Sequence, residues 1–169
     1  NKSHATCYSW VAYQTAYMKA HYPAEYMAAL MTRRFSDIGE ITKLMEECKM
    51  MGIPTLGPDV NESYVEFGVN NKGEIRFGLS AIKGMGSGAA EAIVREREAN
   101  GPYQDIYDFV ERVSLKDVNR KAIESLALSG GFDCFTFIRE QYLSSNNKGE
   151  VFLDLLIRFG QQYQHDKAE

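Results

Sequence analysis

At 169 residues, 44% of them hydrophobic, the chain is long enough for one or two small domains with a real core. A mean hydropathy of -0.35 and the lack of any apolar run near the ~18 residues of a membrane span argue against a helical membrane protein. The net charge of -4 opposes general nucleic-acid binding, which usually comes with an excess of basic residues.

Residues 5–22 predict a helix. Trp10, Tyr13 and Tyr17 fall on one side, where such aromatics are expected to enter a core rather than stack on bases, and Ala5, Ala12, Ala16 and Ala20 line another. Pro23 fits the first position of a second helix over 24–35, with Met27, Leu30 and Met31 as its apolar stripe. Asp37 followed by Glu40 reads as a capping box that opens a third helix, its stripe formed by Ile38, Ile41, Met45 and Cys48. Residues 1–52 are therefore expected to form a three-helix unit.

Glycine and proline recur between Gly52 and Pro58, the best candidate for a boundary, and beyond it the apolar period changes to two. Val65, Phe67 and Val69, then Ile75, Phe77 and Leu79, alternate on either side of Asn70-Asn71-Lys72-Gly73, which predicts a β-hairpin.

The most informative stretch follows, Leu79–Val94. Leu79 and Ile82 precede a Gly84-Met85-Gly86 turn, and Ala90, Ile93 and Val94 recur behind it at helical spacing. The pattern predicts helix, tight hairpin and helix, an arrangement that offers backbone N–H groups at a helix N-terminus to a phosphate. Gly84 and Gly86 can take positive φ and, without Cβ atoms, let a phosphate come close to the backbone, and Ser87 stands where an N-cap would stand. The DNA-contacting residues are then Lys83, Gly84, Met85, Gly86, Ser87 and Gly88, with Arg95 and Arg97 nearby and Lys116, Arg120 and Lys121 further on. On this reading a paired Gly84→Val and Gly86→Val change removes duplex binding and keeps the fold.

Asn100-Gly101-Pro102 predicts a turn, a helix carrying Ile106, Phe109, Val110 and Val113 comes next, and another spans 119–129 until Gly130-Gly131 stops it. The connection over 113–119 raises a second, degenerate helix-hairpin-helix without the glycine turn. Residues 53–135 are thus expected to be a β-hairpin plus a tandem helix-hairpin-helix domain. Residues 136–169 read as an extension, helical over 151–159 and then a frayed polar tail.

Catalytic constellations are missing. No Asp-x-Asp pair or acidic strand offers a two-metal site. Asp105 and Asp108 share one helix face, and Asp105 or Asp133 could serve a helix-hairpin-helix glycosylase, but too few helices surround them to build a base pocket. Cys7, Cys48 and Cys134 are odd in number with no C-x-x-C, and His4, His21 and His165 are scattered, so neither a disulfide frame nor a metal site is expected. The thiols read as buried in a reducing compartment, and with no signal peptide the location expected is the cytoplasm.

Several strings have a further meaning. Asn-Lys-Ser-His-Ala at 1–5, Tyr13-Gln14-Thr15-Ala16-Tyr17, Lys19 through Leu30, Met51-Gly52-Ile53, Leu56 through Asn61, Gly78 through Gly86 and Ser129 through Asp133 together resemble the family of bacterial replicative DNA polymerase alpha subunits, the C-family polymerases. The resemblance covers about residues 1–135 and implies a mainly α fragment: the end of the fingers, then the β-hairpin and helix-hairpin-helix region. It implies that Lys2, Ser3 and His4 lie close to the incoming nucleotide and that the hairpin grips the backbone of double-stranded DNA. The partners implied are the remainder of the alpha chain and, through parts outside this sequence, the sliding clamp; no membrane is involved. The palm carboxylates and the Mg2+ of the parent polymerase lie elsewhere, so no cofactor and no catalysis are expected in this piece. A beginning without Met fits an excised segment. The alternative from another class is a protein-interaction module that docks a partner subunit.

Overall fold

The computed structural model describes residues 1–169 as eight α-helices around two apolar cores, with one small sheet. α1 (Lys2–His21), α2 (Pro23–Arg33) and α3 (Ile38–Met50) come first. Pro23 starts α2 as expected, its fixed φ suiting a position whose N–H has no helical partner. Asp37 caps α3 by accepting from the Glu40 amide at 3.1 Å. The capping box is only half formed, because the Glu40 carboxylate takes Lys43 instead.

α2 and α3 bury Met27, Met31, Ile41 and Cys48 against Ile53, Phe67, Ile75 and Ala81. This smaller core of 10 residues thus draws from both sides of the expected 52/53 boundary. α1 stands apart from it. No residue of α1 is buried, and Trp10 and Tyr13 are 60% and 61% exposed, so the expectation that its aromatics enter a core is corrected. Packing on α2 alone leaves most of a 20-residue cylinder uncovered. The thiols also divide: Cys48 is buried as expected, whereas Cys7 and Cys134 belong to exposed residues.

The β-hairpin is present but short. β2 (Gly68–Val69) pairs antiparallel with β3 (Ile75–Arg76), and Asn70 Oδ1 ties the turn by accepting from the Lys72 and Glu74 amides. A strand the pattern did not reveal, β1 (Thr55–Leu56), lies parallel to β3 and gives the order β1-β3-β2. It needs no alternation of its own, since two residues suffice once β3 offers a free edge.

The larger core, 23 residues, is built by α4 (Ser87–Asn100), α5 (Ile106–Arg112), α6 (Arg120–Ser129), α7 (Arg139–Tyr142) and α8 (Phe152–Ala168). Asp105 and Asn119 cap α5 and α6 through their side chains, and Gly130, at φ +92°, stops α6 in the left-handed region. A rivet holds the loop 59–63 to this core. The Asn61 side chain both accepts from and donates to the Tyr103 backbone, as a strand would, and Val60 N–H donates to the Gly131 carbonyl.

α8 corrects the expected tail. It runs from Phe152 to Ala168, and Gln164 is docked, donating to the Val110 and Val113 carbonyls at 2.9 and 2.8 Å. Gly160 makes the close approach possible, for a Cβ there would sit 2.5 Å from the Val110 carbonyl oxygen. Leu153 and Leu156 complete the core. No helix is long and apolar enough to cross a membrane.

Candidate nucleic-acid interface

The Gly84-Met85-Gly86 corner begins where β3 ends. Its first arm is a single 3-10 turn, Leu79–Ala81, shorter than the helix expected. It stops because Ile82 is already extended, at ψ 125°, and Gly84 then turns into the left-handed region. The Leu79 and Ser80 amides donate to the Tyr64 and Val65 carbonyls, which ties the start of this arm to the neighbouring loop. Gly78 permits this approach, since a Cβ there would meet the Glu66 carbonyl carbon at 2.6 Å.

The turn itself divides its work between two glycines. Gly84 takes φ +91°, and a Cβ on it would meet Ser125 Oγ at 2.7 Å and Lys121 Cε at 3.3 Å. It is therefore a conformational and packing necessity, with α6 pressed against it. Gly86 does not use its freedom to take positive φ: at φ -80° and ψ 155° it is the N-cap of α4, so Ser87 is the first helical residue and not the cap expected. A Cβ at Gly86 or Gly88 would meet nothing within 4 Å. A Gly84→Val change consequently strains the corner and costs stability, so the clean probes of the helix start are substitutions at Gly86 and Gly88.

Because Gly86 has no side chain to cap with, the start of α4 is unsaturated. The amides of Gly86, Ser87, Gly88 and Ala89 meet no acceptor within the chain, and residues 86–88 are exposed. Only the Met85 amide is spent, on the Ile82 carbonyl, with the Met85 side chain anchored in the core. The helix macrodipole places about half a positive charge at this end. Lys83 is exposed beside it, and the Lys121 stem lies along Gly84; neither has an ion-pair partner. Lys121 belonged to a separate cluster in the sequence, and only the packing of α6 on the turn brings it here.

The other basic residues separate into free and engaged. Arg95 and Lys116 are exposed and unpaired. Arg97 is buried, donates to the Val60 and Ser63 carbonyls and lies 5.1 Å from the Tyr64 ring centroid, so it is structural and not a DNA contact. Arg120 is held between Asp154 and Glu124, and the bond to Asp154 raises its pKa.

A second corner joins α5 to α6 across 113–119, without Gly-x-Gly. Here Asn119 Oδ1 accepts from the Ala122 amide at 3.0 Å, and Ser114 closes the turn by bonding Asp117. The connection has helix–turn–helix form, but its helix start is partly saturated from within.

Lys2, Ser3 and His4 occupy the exposed first turn of α1, and no hydrogen bond or ion pair links them to the hairpin; Ser3 bonds Asn1. The acidic residues nominated for chemistry have structural duties. Asp105 caps α5 through the Asp108 amide, Asp108 accepts from the Gln104 amide and pairs with Arg112, and Asp133 pairs with Arg139. No three His, Cys, Asp or Glu side chains converge as metal ligands. Burial pushes the Cys134 thiol up to about 12, so it is a poor nucleophile even though its residue is exposed.

Comparison with known proteins gives the same picture. Residues 52–142 match the helix-hairpin-helix motif family. The chain is 50% identical over 145 residues to the DNA polymerase III subunit alpha of Chlamydia pneumoniae, a match covering 86% of this chain and 12% of that protein. It is 47% identical over 133 residues to the subunit of Pasteurella multocida and 44% identical over 133 residues to that of Escherichia coli K12, each covering 79% of this chain and 12% of the relative. The chain therefore matches a segment of these subunits and spans about an eighth of their length.

Proposed function

Because the chain belongs to the helix-hairpin-helix family, we propose that it holds double-stranded DNA by the sugar-phosphate backbone, as one segment of a replicative DNA polymerase alpha subunit. The observation that carries this reading is the exposed, unsaturated start of α4. Four successive amides lack acceptors, two glycines leave them unshielded, and Lys83 and Lys121 flank the approach. A phosphate oxygen seated there accepts from the amides of Ser87 and Gly88 while the lysines supply point charges. Main-chain contacts of this kind carry no base information, so binding is independent of sequence.

Under this reading the parent is a DNA-directed DNA polymerase of the cytoplasm, whose palm carboxylates hold Mg2+ for nucleotidyl transfer. Asp105, Asp108 and Asp133 serve a cap and ion pairs, and with the palm carboxylates assigned to other parts of the parent the isolated chain is expected to be catalytically inactive. Lys2, Ser3 and His4 face the nucleotide only within the assembled parent. The sliding clamp is reached through other parts of it.

The test is anisotropy of two unrelated labelled duplexes against salt concentration. Contact with about two phosphates gives a slope of log K on log salt near -2, the same for both sequences. A slope near zero, or a strong preference for one duplex, removes the reading.

A further inference from the structure

Helices that are apolar on every side belong in the interior of a protein. α1 carries large apolar side chains on two opposite sides, interspersed with Thr6, Ser9, Gln14, Thr15 and Lys19, yet it lacks that setting. Trp10, Tyr13 and Tyr17 form one ladder that ends on His21, with successive ring centroids 5.8, 6.5 and 4.2 Å apart. Tyr8, Val11, Met18 and Tyr22 extend along another side, and all are at least 42% exposed. There is no acidic residue between Lys2 and His21 to hydrate the helix. Only α2 packs against it in substance, supplemented by the Lys19–Glu47 ion pair at 2.6 Å. A contiguous exposed aromatic face of this extent marks a contact surface.

We infer that α1 is an interior helix of a larger fold, enclosed by polypeptide from the rest of the alpha subunit packing against the Trp10–Tyr13–Tyr17 ladder and the opposite Tyr8–Val11–Met18 side. Two observations select this occupant. Large exposed apolar groups on two opposite sides call for an enclosing body, whereas a nucleic-acid strand or a second copy of the helix covers one side only. The relatives also hold the chain as 12% of their length, so most of their polypeptide lies outside it. The inference rests on the alpha-subunit reading but not on phosphate binding at Gly86.

The test compares the 169-residue chain with an intact alpha subunit that contains it. Amide hydrogen exchange across residues 2–21 is expected to slow by about a hundredfold in the intact subunit, while α2 changes little. Equal exchange in the two overturns the inference. A Trp10→Ser, Tyr17→Ser variant supplies an independent readout. It leaves the melting temperature of the short chain unmoved, since neither ring is buried there, and lowers that of the intact subunit; a subunit indifferent to both changes also overturns it. Trp10 is the chain's single tryptophan, so iodide quenching of its fluorescence reports the ladder directly. Protection of Trp10 by single-stranded (dT)20, or by raising the concentration of the short chain alone, assigns the ladder to base stacking or self-association and refutes the enclosed helix.

Discussion

The two helix–turn–helix corners have the same plan and opposite chemistry at the start of the second helix. At the first, Gly86 caps α4 with nothing, and four amides remain without acceptors. At the second, Asn119 caps α6 and satisfies the Ala122 amide. The first corner is braced through Gly84 against α6, the second through Gly160 and Gln164 against α8. On the proposed reading, an anion site is made by omitting a cap, at the expense of roughly a few tenths of a kcal/mol in helix stability. The architecture alone does not create it.

The largest way to disturb this contrast is to break the brace of the second corner. Gly160→Val drives a branched side chain into the Val110 carbonyl, and a loss of about 2–4 kcal/mol is expected from denaturant unfolding. Gly84→Val strikes the first corner in the same way, through its left-handed φ and the Ser125 contact, with a loss of about 2–3 kcal/mol and of duplex binding together. Equal stability of either variant in urea contradicts the packing described.

Gly86→Asp then converts the first corner into the second without a clash, since space is open and φ -80° suits an aspartate cap. Stability should hold or rise by a few tenths of a kcal/mol, and duplex affinity should fall by about tenfold or more as the carboxylate occupies the amides and repels phosphate. Unchanged affinity places the DNA contact elsewhere. Asn119→Gly is the reciprocal change and the smallest. It unsaturates α6 at little cost in stability and is expected to steepen the salt slope by at most about 1.

How far the sequence reached can be judged from particular residues. The positions of Pro23, Asp37 and Gly130 followed from local chemistry, and the structure has each where it was expected. The alternation around Asn70–Gly73 revealed the hairpin, but not β1, whose two residues become a strand only because β3 has an open edge. The glycine corner and the helix behind it were legible, whereas the burial of Met85, expected among the DNA contacts, the place of Gly86 rather than Ser87 as the α4 cap, and the separate duties of Gly84 and Gly86 were not. Both residues permit positive φ, and only the position of α6 decides that Gly84 uses it. Arg97 was misjudged for a related reason, since a basic residue near a hairpin reads as exposed until the carbonyls of Val60 and Ser63 surround it.

The sequence by itself determined what short-range forces control: the starts of α2 and α3, the stop of α6, the glycine corner, and the apolar stripes of both cores. Tertiary structure alone decided which side chains share a space. It brought Lys121 beside Gly84, withdrew Arg97 and Arg120 from the interface, docked Gln164 on α5 and left Trp10 in solvent. The physical reason is one of range. A cap or a turn is settled within about four residues of chain, whereas burial and charge pairing depend on partners far away in sequence, whose positions no local pattern encodes.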